Sequence, residues 1–246
     1  MIRAALLALL LAVLPCVAMA QDDSPRVTFR GIELYAILLK PDARFDVPIV
    51  DSQKGLLNVQ ASLDLLLQRS PFAANAVDRL RRNGRVMVVY DPNYPEKQFV
   101  GNTIAAFFPT YFHKSGDFLV LVGRHGIKWP MGELAAVLAH ELVGHGMQRL
   151  RGDLATLRNL DAECEAWLYE EKAYQDLGVD KLTRGLVAFR IQLENRACAD
   201  FRVYQRRHIP ATLKLWEARN PNVPRLLSLF RDYAKLAPQE AGEPGS

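Results

Sequence analysis

The sequence predicts an α+β fold in which a mixed or antiparallel sheet packs on one long helix and a mainly helical C-terminal half follows. Two observations predict this class. Short runs rich in β-branched and aromatic residues mark a sheet-rich part at 27–123, and apolar residues recur at helical spacing over 131–236. The chain has 246 residues, of which 50% are hydrophobic, and this length suits one domain with a full core.

Residues 1–20 have the pattern of a cleavable secretory signal peptide. Arg3 gives a positive start, and the apolar core at 4–14 is too short to cross a membrane as a helix. Ala18-Met19-Ala20 has the small-x-small pattern of a cleavage site, which places the start of the mature chain near Gln21. We therefore expect a secreted or periplasmic protein.

The remaining sequence predicts one domain at 21–236 and a disordered tail at 237–246. No run approaches the roughly 18 apolar residues of a transmembrane helix, so we expect no stable membrane insertion. The formal net charge of +4 is a weak excess, and the basic run at 79–85 lacks the interleaved aromatic residues of a nucleic-acid surface. Nucleic acid is therefore not an expected partner, and the oligomeric state stays open.

The N-terminal part of the predicted domain begins with strands and continues with helices. Strands are expected at 27–39, with a bend at Gly31, and at 44–50, where a proline indicates an edge position. A helix capped by Ser62 is expected next, and a second helix is expected over 72–82.

Three further strands are predicted before residue 123. The run at 85–90 is short and apolar, which is typical of a buried strand. The runs at 103–108 and 118–122 are separated by turn residues at 114–117, so we expect them to form a hairpin.

Four helices are predicted in the C-terminal half. The first covers 131–150 and carries two of the five histidines in the chain. The second covers 154–177 and stops at Gly178, the third covers 181–207, and the last covers 226–236.

Two cysteines, Cys164 and Cys198, remain after removal of the signal peptide. An oxidising compartment favours a disulfide between them, because disulfides form and persist there. Two buried free thiols are the alternative, since pairing depends on a distance that the sequence alone leaves undefined.

The first of the four helices contains the segment His140-Glu141-Leu142-Val143-Gly144-His145-Gly146. Neutral imidazoles are good zinc ligands, and a glutamate beside the first ligand can take a proton from a metal-bound water. Histidines at i and i+5 lie about 140° apart on an ideal helix and could not share one metal. A π-bulge would bring them together, and Gly144 lies where the bulge is expected. Two unrelated histidines on a buried helix are the alternative.

A third metal ligand is expected from the next helix, which offers Asp161, Glu163 and Glu165. Residues 163 and 165 lie about 200° apart on a helix, so only one of them can face the metal. Glu163 shares its face with large apolar residues, which predicts burial, whereas the face of Glu165 is more polar. The pattern therefore favours Glu163, and a surface glutamate on an amphipathic helix is the alternative.

These residues resemble the dipeptidyl-peptidase III family of zinc peptidases. The segment from His140 to His145 resembles the H-E-x-x-G-H motif of that family, and Glu163-Cys164-Glu165-Ala166 is similar to its Glu-Cys-Arg-Ala segment. The Glu-x-x-Ala pattern resembles, more broadly, the third-ligand segment of gluzincin metallopeptidases. The resemblance covers about thirty residues.

The chain also departs from that family. The two motifs are much closer together in the sequence, and the chain is far smaller. Ala162 and Trp167 stand where the family has acids that support the metal ligands. The exopeptidase specificity of the family is therefore not expected here.

The resemblance implies a small zincin-like domain, and the expected function is that of a secreted or periplasmic zinc metallopeptidase. His140, His145 and Glu163 are the expected ligands of Zn²⁺. Glu141 is the expected general base, which takes a proton from the zinc-bound water and passes it to the leaving amine of a peptide or protein substrate. A zinc amidase acting on cell-wall peptides and a non-catalytic zincin-like binding module are the alternatives.

Supporting roles are expected for further residues. Metal-bound histidines usually donate their second N–H to a carboxylate or carbonyl, and Asp161 and Glu165 are the expected acceptors. The segment 117–122 is the candidate edge strand for substrate, with an interior strand as the alternative. The oxyanion needs a donor besides zinc, and the candidates are His113, His125, Tyr169, Tyr174 and His208.

Overall fold

A computed structural model of the protein confirms the α+β architecture. A five-stranded mixed sheet forms in the N-terminal part, and helices make up the C-terminal half. The predicted signal peptide at 1–20 and the predicted tail at 237–246 lie outside the residues that the structure describes. The described residues are 24–45, 47–95, 104–108, 117–217 and 220–236.

The sheet has the strand order β1-β2-β3-β5-β4. β1 (Arg26–Phe29) is antiparallel to β2 (Ile32–Ala36), and β2 is parallel to β3 (Val86–Asp91), which is parallel to β5 (Phe118–Gly123). β4 (Ala105–Phe108) pairs antiparallel with β5 at one edge. Central parallel strands are covered on both faces, which explains why β3 and β5 are almost continuously apolar.

The predicted strand at 27–39 is divided into β1 and β2 by a tight turn. Arg30 and Gly31 form this turn, and both have a positive φ, of 48° and 73°. Two positive φ angles give the backbone a twist that matches the twist of two antiparallel strands. The chain therefore reverses direction where the sequence predicted only a bend.

The strand predicted at 44–50 is wrong, since none of its described residues is in a strand. Pro48 has no backbone N–H to donate to a ladder. Phe45 packs against the guanidinium of Arg124, with 4.3 Å between the guanidinium carbon and the ring centroid. A side-chain contact rather than strand pairing therefore ties this segment to the fold.

The first helix, α1 (Ser52–Arg69), begins well before the predicted cap at Ser62. Ser62 is buried in the middle of this helix, so the predicted cap is wrong. Asp51 caps the helix by accepting a hydrogen bond of 3.0 Å from a backbone N–H of the first turn. Gly55 lowers the helix propensity of this turn, yet a Cβ there would lie 2.1 Å from the ring of Tyr90. Close packing thus explains a glycine that weakened the helical pattern.

The next four elements confirm the predictions. α2 (Pro71–Asn83) corresponds to the helix predicted over 72–82, and Ser70 caps it. β3 corresponds to the strand predicted at 85–90. β4 and β5 pair as the predicted hairpin, although most of the turn between them lies outside the described residues.

β5 lies in the interior of the sheet, so the prediction of a substrate-binding edge at 117–122 is wrong. β5 pairs with β3 on one side and with β4 on the other, so neither side is free to pair with a substrate. The edge strand beside β5 is β4, which lies against the helix that carries the histidines. Which strand forms an edge depends on long-range pairing, and the sequence pattern of a single strand does not contain that information.

The helix predicted at 131–150 consists of three consecutive segments, which we call the histidine helix. α3 (Met131–Leu138) leads into a π-helical segment (Ala139–His145), and α4 (Gly146–Arg151) completes it. Gly152 follows with a φ of 81°, a left-handed conformation that ends the helix at glycine.

Two further helices agree with the predictions after shifts in their boundaries. α5 (Asn159–Leu177) begins later than residue 154, because a short 3₁₀ turn at Asp153–Ala155 precedes it. It ends at Gly178 as predicted. The last helix, α9 (Val223–Ala234), begins three residues before the predicted start at 226.

The helix predicted at 181–207 is interrupted. α6 (Arg184–Gln192) continues into a π-helical segment (Leu193–Ala197), and α7 (Ala199–His208) follows after Cys198. The predicted disulfide between Cys198 and Cys164 is confirmed, with 4.7 Å between the Cα atoms. The break therefore lies where the chain is bonded to α5. A short helix, α8 (Lys214–Glu217), precedes α9.

The main hydrophobic core lies between the sheet and the helices. Val88 and Tyr90 of β3 point into this core, whereas the alternating residues Met87 and Val89 join a smaller cluster on the opposite face. Helices α1, α2, α3, α5 and α9 supply most of the helical side of the core. In the part of the chain that the structure describes, no helix has both the length and the apolar character needed to cross a membrane.

Candidate metal centre

The π-helical segment brings the two histidines of the histidine helix together. The rings of His140 and His145 are both buried, and their centroids are 5.0 Å apart. A π-helical turn contains an additional residue, so side chains at i and i+5 become neighbours. The expected bulge around Gly144 is thereby confirmed.

Gly144 also allows the histidine helix to lie very close to α5. A Cβ at this position would be 2.7 Å from the Cα atom of Ala166 and 2.8 Å from its Cβ atom. The obstacle is backbone, which cannot move aside as the end of a flexible side chain can. Ala166 lies one turn after Glu163, so this close approach brings the carboxylate of Glu163 to the histidines.

We expect Gly144→Ala to lower the free energy of unfolding by about 2 kcal/mol, because the added methyl group forces two packed helices apart. Gly185→Ala on α6 is the matched control, since a Cβ there meets no heavy atom within 4 Å. In a helix that accommodates the methyl group, replacing glycine with alanine is neutral or stabilising. Urea unfolding of both variants tests this, and equal stability of the two would contradict the packing argument.

The side chain of Glu163 lies between the two imidazoles. The Nε2 atom of His140 is 3.4 Å from one carboxylate oxygen, and the Nε2 atom of His145 is 3.6 Å from the other. The structure therefore brings together the three residues that the sequence predicted as metal ligands. Their binding of a metal stays a prediction.

The burial expected for the acids of α5 is reversed. The side chain of Glu163 is 45% exposed, whereas that of Glu165 is 1% exposed. Glu165 pairs with Arg151 at 2.6 Å, and Asp161 pairs with Arg158 at 2.6 Å. Among the described residues neither acid pairs with a histidine, because arginines at the end of the histidine helix, at the start of α5 and in α9 pair with them instead.

The residues that contact the Nδ1 atoms of the two histidines differ from those that the sequence predicted. The Nδ1 atom of His140 is 3.0 Å from the Oε2 atom of Glu170, and the Oε1 atom of Glu170 accepts a hydrogen bond of 3.2 Å from the Tyr174 hydroxyl. The Nδ1 atom of His145 is 2.9 Å from the Oε1 atom of Gln148. The prediction that Asp161 and Glu165 accept the second N–H of the histidines is therefore wrong.

Gln148 connects one histidine to the backbone beside Glu163. Its Nε2 atom donates a hydrogen bond of 2.7 Å to the carbonyl of Ala162, so its Oε1 atom is left to accept from His145. The sequence contained a signal for both acceptors. Gln148 lies three residues after His145, and Glu170 lies two helical turns after Glu163 on the same face of α5.

These acceptors determine how the imidazoles present their lone pairs. Each Nδ1 atom can donate to a neutral or acidic acceptor beside it, so Nε2 is the nitrogen left for a metal, which would displace any proton held there. Both Nε2 atoms face Glu163. Two imidazole nitrogens and a carboxylate are the donor types that zinc accepts, so the residues present fit such an ion.

Glu141 is a second acid beside the histidines. His140, Glu141 and His145 have ligand atoms that all lie within 4.8 Å of one another, and this group could hold a metal ion. Glu141 accepts a hydrogen bond from the backbone N–H of Phe107 in β4, whereas Glu163 presents one oxygen to each histidine. Glu163 is therefore the better placed third ligand, and the role of Glu141 stays a prediction.

The protonation of these groups follows from their contacts. Burial lowers the pKa of His140, but its hydrogen bonds to Glu163 and Glu170 outweigh burial and hold that pKa well above its ordinary value. Burial raises the pKa of Glu163, and the histidines outweigh this effect, so that pKa lies below its ordinary value. Burial raises the pKa of Glu141 above its ordinary value.

A cavity of about 420 Å³ opens beside the histidines. None of the four described oxyanion candidates, His125, Tyr169, Tyr174 and His208, is among its lining residues, and His113 lies outside the described residues. The cavity is lined by Ile104, Ala105, Trp129, Val137, His140, Glu141, Glu163, Trp167, Glu170, Gly185, Ala188, Phe189 and Gln192.

We expect Glu170→Ala to weaken zinc binding by about 10–100-fold, because His140 then loses the acceptor that orients its ring. Glu170→Gln keeps an acceptor oxygen at the same distance along the side chain, and a smaller loss is expected. Competition with a chelator of known affinity measures both variants. Equal zinc affinity of Glu170→Ala and the unchanged protein would rule out this role for Glu170.

Comparisons with known proteins do not assign this chain to a family. The chain matches no protein-family model, and no curated protein or solved structure is significantly similar to it. The similarity to the dipeptidyl-peptidase III family therefore stays a prediction based on two short motifs.

Proposed function

We propose that this protein is a secreted or periplasmic zinc metallopeptidase that hydrolyses peptide bonds. One observation carries the proposal: the Nε2 atoms of His140 and His145 both face the carboxylate of Glu163, while Glu141 lies in the same cavity. Two histidines and one glutamate, with room left beside them, form the ligand set of many catalytic zinc sites.

The zinc ion would be held by His140, His145 and Glu163. When bound, zinc lowers the pKa of a coordinated water and polarises the carbonyl of the substrate. Glu170 and Gln148 hold the histidines in the orientation that leaves Nε2 available.

Glu141 is the proposed general base. Its carboxylate is held by the backbone N–H of Phe107, so its position does not depend on a mobile side chain. Burial raises its pKa, which brings the acid closer to the neutral range in which it can both take up a proton and release it to the leaving amine.

The edge strand β4 is the proposed support for the substrate backbone. The carbonyl of Ile104 accepts a hydrogen bond of 3.0 Å from Gly123, which means that residue 104 faces β5. Backbone groups alternate in an antiparallel ladder, so Ala105 and Phe107 face the opposite way, toward the edge. Phe107 donates to Glu141, and Ala105 lines the cavity. An extended peptide added to this edge would pass beside the metal ligands.

Metal analysis and a substrate panel test the proposed function. The mature protein is expected to contain about one zinc per chain and to hydrolyse unfolded proteins such as casein. Cleavage of muropeptides alone would favour a cell-wall amidase. Zinc without hydrolysis of either class would favour a binding module, and no zinc after reconstitution would remove the metal site.

A further inference from the structure

The cavity beside the metal centre has an apolar wall that the proposed chemistry does not use. Trp129, Val137, Trp167 and Phe189 supply most of this wall, and α6 adds two small residues. A volume of about 420 Å³ lies within the range of pockets that enclose small ligands or side chains.

The aromatic part of the wall is well ordered by its own contacts. The rings of Trp167 and Phe189 are stacked, with centroids 5.0 Å apart and an interplanar angle of 10°. Trp167 also lies edge-on to His140, with 6.4 Å between the ring centroids. Phe189 contacts Tyr174 edge-on at 5.3 Å. The apolar surface therefore begins at a proposed metal ligand and extends from α5 to α6.

The charged groups of the cavity already have partners. Glu163 contacts both histidines, Glu170 contacts His140, and Glu141 accepts from Phe107. No lysine or arginine occurs among the described lining residues. These carboxylates would repel an acidic side chain of a substrate. A basic side chain would meet only carboxylates that already have hydrogen-bond partners. An apolar side chain suits this environment best.

Two small residues of α6 leave the space open. Gly185 and Ala188 both line the cavity and are exposed. A Cβ on Gly185 would meet no heavy atom within 4 Å, so neither backbone conformation nor packing requires a glycine there. Larger side chains at these positions would occupy the cavity without displacing the core. The neighbouring residue Val187 lines a different cavity instead.

We propose that this cavity is a specificity pocket for a bulky apolar side chain, aromatic or branched, of a substrate residue next to the cleaved bond, and that Gly185 and Ala188 determine its size. The inference rests on the proposed peptidase function. Trp129, Trp167 and Phe189 contact the side chain, and the small residues of α6 leave room for it.

A series of blocked hexapeptides that differ in one residue tests the pocket. The zinc-loaded protein is expected to cleave peptides with Phe or Leu at the selected position at least about tenfold faster, in kcat/KM, than peptides with Ala. Ala188→Phe should abolish this preference by filling the pocket. Val187→Phe is the matched control and should keep it. Cleavage without the preference, or a preference that Ala188→Phe does not change, would overturn the inference.

A binding measurement separates this inference from the proposed function. Trp129 and Trp167 line the pocket, so the same hexapeptides should alter tryptophan fluorescence on binding to the Glu141→Gln variant. The Phe peptide should bind more tightly than the Ala peptide, and this difference should disappear when Ala188→Phe is combined with Glu141→Gln. Both results together support the pocket even if no peptide is cleaved. Equal affinity for both peptides would overturn it, whatever the catalytic result.

Discussion

Glu163→Ala should abolish stoichiometric zinc binding and leave the protein folded. The carboxylate contacts both imidazoles, so its removal takes away a whole ligand, and the loss should exceed the 10–100-fold expected for an orienting residue such as Glu170. The side chain is 45% exposed, so truncation leaves neither a large cavity nor an unpaired buried charge. Metal analysis and chelator competition measure the binding, and urea unfolding measures the stability.

Glu165→Ala on the same helix should have the opposite effects. Its carboxylate is 1% exposed and lies 2.6 Å from Arg151 and 3.7 Å from Arg231. Removing one partner of a buried ion pair leaves the other unpaired, and we expect the free energy of unfolding to fall by about 3 kcal/mol. Zinc content should stay near that of the unchanged protein. If Glu163→Ala kept its zinc while Glu165→Ala lost it, the third ligand would have to be reassigned.

Glu141→Gln should retain zinc and lose hydrolysis. Glutamine has nearly the same shape as glutamate and keeps an oxygen that can accept from Phe107, but it cannot take up a proton at neutral pH. A general base contributes about 10²–10⁴-fold to the rate, so kcat should fall by that factor while KM changes little. Steady-state kinetics on a peptide cleaved by the unchanged protein measures both parameters.

Glu133→Gln is a control on the same helix for this variant. Glu133 lies in the first turn of α3 and is not among the residues that line the cavity, so its change should leave kcat unaffected. Turnover of Glu141→Gln at the rate of the unchanged protein would remove Glu141 from the role of base and shift the proposal toward another acid of the cavity.

Local signals in the sequence were sufficient for most elements of the fold. The ends of α2 and α5 were predictable because Gly84 and Gly178 follow them directly. The start of α1 was missed, since Gly55 interrupts the helical pattern for a reason found only in the packing against Tyr90. The interior position of β5 was missed because strand order depends on partners far away in the chain.

The sequence by itself determined which donors the candidate metal centre contains. His140, Glu141 and His145 are near one another along a single helix, and Gly144 marks where the turn widens, so local geometry sufficed. It also favoured Glu163, although the burial that supported this choice belongs to Glu165.

Only the tertiary structure decided what surrounds those donors. Glu170 became the acceptor of His140 because Gly144 lets the histidine helix approach α5 closely enough for its side chain to reach the ring. Gln148 lies on the histidine helix itself, and its hydrogen bond to the carbonyl of Ala162 in α5 leaves its oxygen for His145. Glu165 was drawn into a buried ion pair by Arg151. Helical periodicity assigns a residue to a face, but the neighbour of that face is set by packing between segments distant in the chain, and this packing determines charge, burial and orientation at the site.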